Sequence, residues 1–241
     1  MNTILQISDR EFTADQLMPL LAEYQLMPQL LKEIVIDQAI ELFTCTLEEL
    51  DDQCQTFFAQ HGIHSVAEQE VWLEAQGMTM KQFVAPLQRQ IRLEKFKAAT
   101  WGNKLESHFL QRKHELDQVI CSIIRHRDRD TISELYFRLD EGEQSFAELA
   151  PIYSEGAEAQ TKGVMGPVEL GQLHPDLAAL LRTSKPGQLV KTHIAEWYIV
   201  AQVESYIPAQ FDEWMQNRLL DELFSKWLQQ QITSTRYKFT N

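Results

Sequence analysis

A chain of 241 residues that is 44% hydrophobic and 24% charged has the composition of one large or two modest globular domains, which excludes a disordered protein. Its 35 acidic against 22 basic side chains leave a formal charge of -13; this disfavours nucleic-acid phosphates and anionic lipid as partners and steers basic polypeptide toward it. Cys45, Cys54 and Cys121, an odd number with no CxxC pair, fit a reducing compartment, and no run of about 18 apolar residues marks a membrane span.

The opening MNTILQISDREF has no basic segment followed by an apolar one, so no leader is expected and the reading is of a soluble, cytoplasmic protein. Residues 4–7 suit a short strand. Helix starts then punctuate the chain. Thr13 with Gln16, Thr46 with Glu49, Ser65 with Glu68 and Thr79 with Gln82 have the spacing at which two side chains reciprocally satisfy orphan backbone N–H groups. Each pair precedes an apolar periodic run, so four helices are expected. A further helix begins near Pro28, with Leu31, Ile34, Val35 and Leu42 on one face. Gly62 and Gly77 fall where the helices from Thr46 and Ser65 should stop, since glycine tolerates the left-handed closing conformation. Pro86 removes a hydrogen bond and crowds the preceding turn, so the helix after Thr79 is expected to kink or to start later. Residues 87–116 are rich in Lys, Glu and Gln and read as two helices joined near Gly102.

Residues 117–125 read as a strand, 125–130 as a polar turn and 131–139 as a helix with Ile132, Leu135, Tyr136 and Leu139 facing a core. Ser145 and Glu148 repeat the capping spacing, and Phe146, Leu149, Ala150 and Tyr153 follow on one helical face. The run 156–166 holds too much glycine and polar surface to extend that helix, so it reads as a loop closed by Gly166-Pro167. His174-Pro175 opens a short helix bearing Leu177, Leu180 and Leu181 on one face, and Lys185-Pro186-Gly187 is a turn. Residues 189–203, rich in Val, Ile, Trp and Tyr, read as two short strands broken near Ala195-Glu196. Residues 208–232 place Phe211, Trp214, Met215, Leu219, Leu223, Trp227 and Leu228 in a broad stripe on a helix too long for the preceding small unit alone. It is expected to pack back on the N-terminal helices, with the tail 234–241 frayed.

The order FAELA..YS, a Gly-rich loop, GP, GQLHP.L, PGQL and a terminal WYIVAQVE strand resembles the parvulin-type peptidyl-prolyl cis-trans isomerase domain. The likeness runs from Asp117 to Tyr206, roughly a third of the chain. The helical arms on either side resemble those of SurA-like chaperone-isomerases, and the whole chain is similar to a group of cyanobacterial proteins labelled peptidylprolyl isomerase. The resemblance implies an α+β fold in which a parvulin-like domain of small antiparallel sheet and short helices, 117–206, is inserted into a helical SurA-like domain. That domain would comprise 1–116 and the C-terminal helix of 207–241. The activity implied is isomerisation of Xaa-Pro bonds in unfolded or exported polypeptide clients, with no cofactor and no metal.

Rotation about such a bond faces a barrier of about 18 to 20 kcal/mol from amide resonance, and no covalent bond is made or broken. Catalysis therefore needs an apolar pocket for the proline ring and a few polar groups aimed at the twisting carbonyl. The family pattern puts the pocket at Met165, Leu173 and Leu177; the same residues also suit the ordinary core of a small α+β domain. The histidine and Cys or Asp positions of the pattern are occupied here by Ser122, Tyr198 and Gly156, while His174 and His193 fall off it. Alternation puts Ser122 with Ile120 and Ile124 on one strand face and Tyr198 with Val200 on another. A Ser122–Tyr198 hydrogen bond is expected to replace the histidine pair, either beneath the pocket as the catalytic support or as a buried pair serving stability alone.

His61 and His64 are separated by a helix-breaking glycine and have no Cys or Asp to complete a ligand set, and no GxSxG, P-loop or HExxH motif is present. Arg125-His126-Arg127-Asp128-Arg129 suits either an acidic residue before proline or a solvated turn. Three roles stay open: an isomerase lacking the usual histidines, a non-catalytic peptide-binding holdase, or an adaptor for a peptide-export system. The oligomeric state is left open.

Overall fold

Local side-chain caps begin the helices, and strand pairing between distant segments builds the sheet. The computed structural model describes residues 3–7 and 9–235. In chain order the elements are β1 (Thr3–Ile7), β2 (Arg10–Thr13), α1 (Ala14–Glu23), α2 (Met27–Ala39), α3 (Leu47–Gln60), α4 (Val66–Ala75), α5 (Met80–Trp101) and α6 (Leu105–Leu116). They continue with β3 (Gln118–His126), α7 (Arg129–Asp140), α8 (Phe146–Tyr153), β4 (Val164–Glu169), α9 (Pro175–Thr183), β5 (Leu189–Ile194), β6 (Trp197–Ile207) and α10 (Glu213–Ser234). Two compact units result: the described residues up to Leu105 together with those from Gln216 onward, and Glu106–Met215. Positions 236–241, most of the tail expected to fray, lie outside the described residues.

All five capping pairs form. Thr46, Ser65 and Thr79 accept from the N–H three residues on, and Glu49, Glu68 and Gln82 return the bond to the cap N–H at 2.8, 3.0 and 2.8 Å. Gln16 and Glu148 bond the N–H of Thr13 and Ser145 at 2.9 and 2.8 Å. Gly62 and Gly77 close α3 and α4 at φ of 70° and 65°. Helix α5 is not displaced in its start by Pro86; it begins at Met80 and continues through that residue, because tertiary contacts along its length outweigh one lost hydrogen bond.

In the first unit, β1 and β2 form an antiparallel hairpin of which only β1 was read in the sequence. Phe58 of α3, Leu73 of α4 and Phe83 of α5 are buried together, with Phe57 and Trp72 edge-on at a centroid distance of 5.4 Å. A second cluster joins Val35, Ile36 and Ile40 to Leu93 of α5 and Leu228 of α10. The face of α2 thus differs from the expected one: Leu42 is 92% and Ile34 43% exposed, since the helix ends at Ala39 and leaves Leu42 beyond its last turn. Trp214 likewise leaves its expected stripe, being exposed at the start of α10.

The second unit is a four-stranded antiparallel sheet in the order β4-β3-β6-β5, so the α+β fold with a small antiparallel sheet is as expected. One face packs Val119, Cys121 and Ile123 of β3 and Ile199, Ala201 and Val203 of β6 against Leu177 and Leu181 of α9. The other packs Ile124 and Val200 against Ile132 and Leu135 of α7 and Phe146, Leu149 and Ala150 of α8. The expected loop 156–166 instead holds a 3-10 turn, Ala157–Thr161, and the start of edge strand β4, whose partner β3 supplies hydrogen bonds that local sequence cannot announce. Gly166 is required within it: at φ of 116° a Cβ would stand 2.4 Å from the Val119 carbonyl oxygen. Asp117 ties this unit's entry to its exit, its carboxylate accepting from Lys113 Nζ at 2.6 Å and the Ala209 N–H at 2.8 Å. The Tyr206 hydroxyl sits between the Leu181 and Ser184 carbonyls and so fastens the end of α9 to β6.

Lys97 is the buried cation of the first unit, 6% exposed, with Nζ 2.7 Å from Asp221 and 2.9 Å from Glu94. Burial pulls its pKa down, but the hydrogen bonds it donates to Asp221 and then Glu94 outweigh that and leave it raised. A raised lysine contributes stability that is complete below its unfolded value of about 10.4 and fades as pH climbs through the folded value, so the contribution is constant near neutrality. Replacing both acids, Glu94→Gln with Asp221→Asn, is expected to cost the first unit about 3 to 5 kcal/mol at pH 7 by stranding the ammonium, whereas Lys97→Met costs less than about 1.5 kcal/mol because both exposed acids rehydrate. Urea unfolding of the variants checks the order.

Candidate functional site

Three apolar residues reach one side of the sheet by three local devices. Met165 lies on β4 opposite Cys121 of β3. Leu173 follows the 3-10 turn Leu170–Gln172, and Leu177 stands one turn into α9, which His174 caps by accepting the Asp176 N–H on Nδ1 at 3.3 Å. All three join the cluster beneath α9, so the structure brings them together. They differ in access. Leu177 is 6% exposed and packs as core, while Met165 and Leu173 are half-buried and present apolar surface. A cleft of about 320 Å³ opens beside Leu173, bounded by Leu170, Pro175 and Ala178 with Glu115 and Arg182 at its polar rim.

Ser122 and Tyr198 do not meet. Ser122 faces Gln202 across the β3–β6 ladder and donates to Glu204 Oε1 at 2.6 Å. Tyr198 pairs with His126, four residues further along β3 or roughly 13 Å at strand rise, and its ring lies against His193 with centroids 4.3 Å apart. Both residues sit on the sheet face that carries Ile124 and Val200, opposite the face of Met165, Leu173 and Leu177. Alternation identifies which residues share a face of each strand; register alone says which of them are neighbours, and register is set by the whole pairing.

Arg125 lies on the apolar cluster's own face, next in alternation after Cys121 and Ile123. Its Nε and one Nη donate to the two oxygens of Glu158 at 2.8 and 2.7 Å, a bidentate pair whose carboxylate side chain is 3% exposed. Ser154 Oγ donates to the same carboxylate at 2.6 Å and accepts the Arg125 N–H at 3.1 Å. A Cβ on Gly156 would fall 2.2 Å from a Glu158 oxygen, so the carboxylate fills the space of the side chain that glycine lacks. Beyond it the Arg127 guanidinium lies 4.7 Å over the Trp197 ring. In the sequence Arg125 and Arg127 belong to one basic stretch, and the 33 residues between Arg125 and Glu158 hide their pairing. The guanidinium, still one-third exposed, is a fixed donor at the margin of an apolar surface.

Residues 125–195 match the family model described as rotamase, PPIC-type PPIASE domain, which shows the parvulin-type resemblance for that segment. The segment contains Arg125, Glu158, Met165, Leu173 and Leu177 but ends before Tyr198 and begins after Ser122. No curated protein matches the chain. Among solved structures, it is similar to a peptidylprolyl isomerase, PrsA, from Bacillus cereus, with a TM-score of 0.48 and 19% identity over 100% of this chain and 94% of that one. PrsA from Bacillus anthracis gives 0.49 and 20% over 88% and 100%. A structure from work on the SurA-like chaperones PEB4 and Cj1289 of Campylobacter jejuni gives 0.36 and 15% over 99% and 100%.

Removing either half of the buried ion pair has an unequal effect. Arg125→Met strands the Glu158 carboxylate and is expected to destabilise the second unit by about 3 to 5 kcal/mol, while Glu158→Gln keeps an oxygen for Ser154 and costs less. Amide exchange of β3 and β6, which reads this unit alone, distinguishes the two; equal losses would show that the carboxylate is not the stranded group.

Proposed function

We propose that the unit Glu106–Met215 binds Xaa-Pro segments of unfolded polypeptides over Met165 and Leu173, with Leu177 supporting them from beneath, and accelerates rotation about the Xaa-Pro bond. One observation carries the reading: within the PPIC-type segment Met165, Leu173 and Leu177 share one apolar cluster, and Arg125, held by Glu158, follows Cys121 and Ile123 on the same face of β3. Apolar contact holds the ring. Arg125, preoriented by Glu158, donates to the carbonyl before proline as its conjugation breaks, an electrostatic contribution stronger in the twisted state than in either planar one. No nucleophile is needed, so the absence of family histidines at Ser122 and Tyr198 leaves this part of the chemistry intact. The -13 charge favours clients with basic residues near the proline. Three free cysteines support a reducing, cytoplasmic setting.

A second reading is a holdase or an adaptor for a peptide-export system that grips such segments without turnover. The observation favouring it is that Ser122 and Tyr198 lie apart and on the far face, so no hydroxyl pair backs the apolar surface.

Exchange spectroscopy on Xaa-Pro peptides titrated with the protein separates these roles. Faster cis–trans exchange marks the isomerase; line broadening without faster exchange marks the holdase. Met165→Ala and Leu173→Ala are expected to weaken peptide binding several-fold while melting changes little, since half-exposed side chains forfeit little burial. Leu177→Ala creates a cavity instead and should cost about 2 to 5 kcal/mol, a drop of several degrees in Tm. Unchanged peptide affinity in both half-exposed variants would remove this surface as the binding site.

A further inference from the structure

On the sheet face away from Met165, the start of α7 and edge strand β5 enclose a cleft of about 360 Å³. Arg129 and Ser133 line it from α7, Lys191, Thr192 and His193 from β5, and Tyr198 from β6; no carboxylate lines it. The charge balance makes this unusual. In a chain with 35 acidic and 22 basic residues, several cations of this unit are paired with acids: Arg125 with Glu158, Arg138 with Glu134 and Lys113 with Asp117. Among the described residues Arg129, Lys191 and His193 have no ion-pair partner. Of the acids nearest the start of α7, Asp128 caps the helix through the Thr131 N–H and hydroxyl, at 2.9 and 2.6 Å, Glu134 holds Arg138 at 3.0 Å, and Asp130, exposed in the first turn, does not line the cleft.

Lys191 and His193 are held in place rather than left to wander. Lys191 Nζ lies 4.6 Å from the Tyr136 ring centroid and 5.8 Å from that of Phe137, and the His193 ring packs on Tyr198 at 4.3 Å. Antiparallel pairing of Lys191 with Val200 and His193 with Tyr198 sets both on one face of β5. Ser133 and Tyr198 add hydroxyl donors. A cleft lined by one sign of charge focuses its field, and charge-assisted hydrogen bonds from several donors to one anion are the strong kind. We propose that this cleft is an oxyanion-binding site that takes a phosphate monoester or carboxylate group, borne either by a small molecule or by a residue of a polypeptide. It stands on the opposite sheet face from the Xaa-Pro surface and does not rest on the isomerase reading.

The test titrates the ¹⁵N-labelled full chain with inorganic phosphate at constant ionic strength, chloride serving as control, and then with peptides carrying one phosphoserine or one glutamate. Saturable shifts are expected at the amides of Arg129, Ser133, Lys191, Thr192 and His193. Arg129→Ala and Lys191→Ala should each weaken binding by about tenfold, the worth of one charge-assisted contact, with Tm unchanged because both side chains are exposed. Binding of phosphate with neither peptide assigns the site to a small-molecule anion; binding of a peptide assigns it to a chain-borne one. No saturation at these amides by tens of millimolar phosphate, or affinity unaltered in both variants, overturns the proposal.

Discussion

Strand β3 is the constraint on which the second unit depends. It lies between β4 and β6, and its residues from Cys121 through Ile124 are buried on both faces. A strand of that kind cannot leave either face to water, so α9 must cover one side and α7 with α8 the other. The ends of β3 then become the places where polar groups are used. Asp117, just before it, binds the chain entering and leaving the unit, and Arg125, near its end, meets the carboxylate of Glu158.

That buried pair shows why polar positioning is exacting here. A carboxylate 3% exposed is tolerated only because Arg125 and Ser154 supply all its hydrogen bonds, and taking one partner away exposes the desolvation cost that the pair conceals. Gly156 belongs to the same device, since any larger residue would collide with the carboxylate.

The first unit meets its own constraint differently, through aromatic packing of Phe57, Phe58, Trp72 and Phe83 and through a lysine buried between acids of α5 and α10. Among the described residues each unit thus holds one buried charge with a sequence-distant partner, Asp221 for Lys97 and Arg125 for Glu158. In the second unit Arg129 and Lys191 come together at the α7–β5 cleft, which no carboxylate lines.

What the sequence determined by itself was whatever spans about four residues. The capping pairs, the glycine stops at Gly62 and Gly77, the faces of α7, α8 and α9 and the break at Ala195 were legible because hydrogen bonds and side-chain contacts at that range follow from spacing alone. Motif order also marked Met165, Leu173 and Leu177, which the fold gathers into one cluster. Only the tertiary structure decided the rest. Strand β4 arose within an apparent loop because its hydrogen bonds come from β3; Ser122 found Glu204 rather than Tyr198 because register, not alternation, chooses partners; and Arg125 found Glu158 across 33 residues. Pairing over such separations depends on the free energy of the whole sheet, where a shift of one residue would turn every buried side chain outward, and no local pattern encodes that sum.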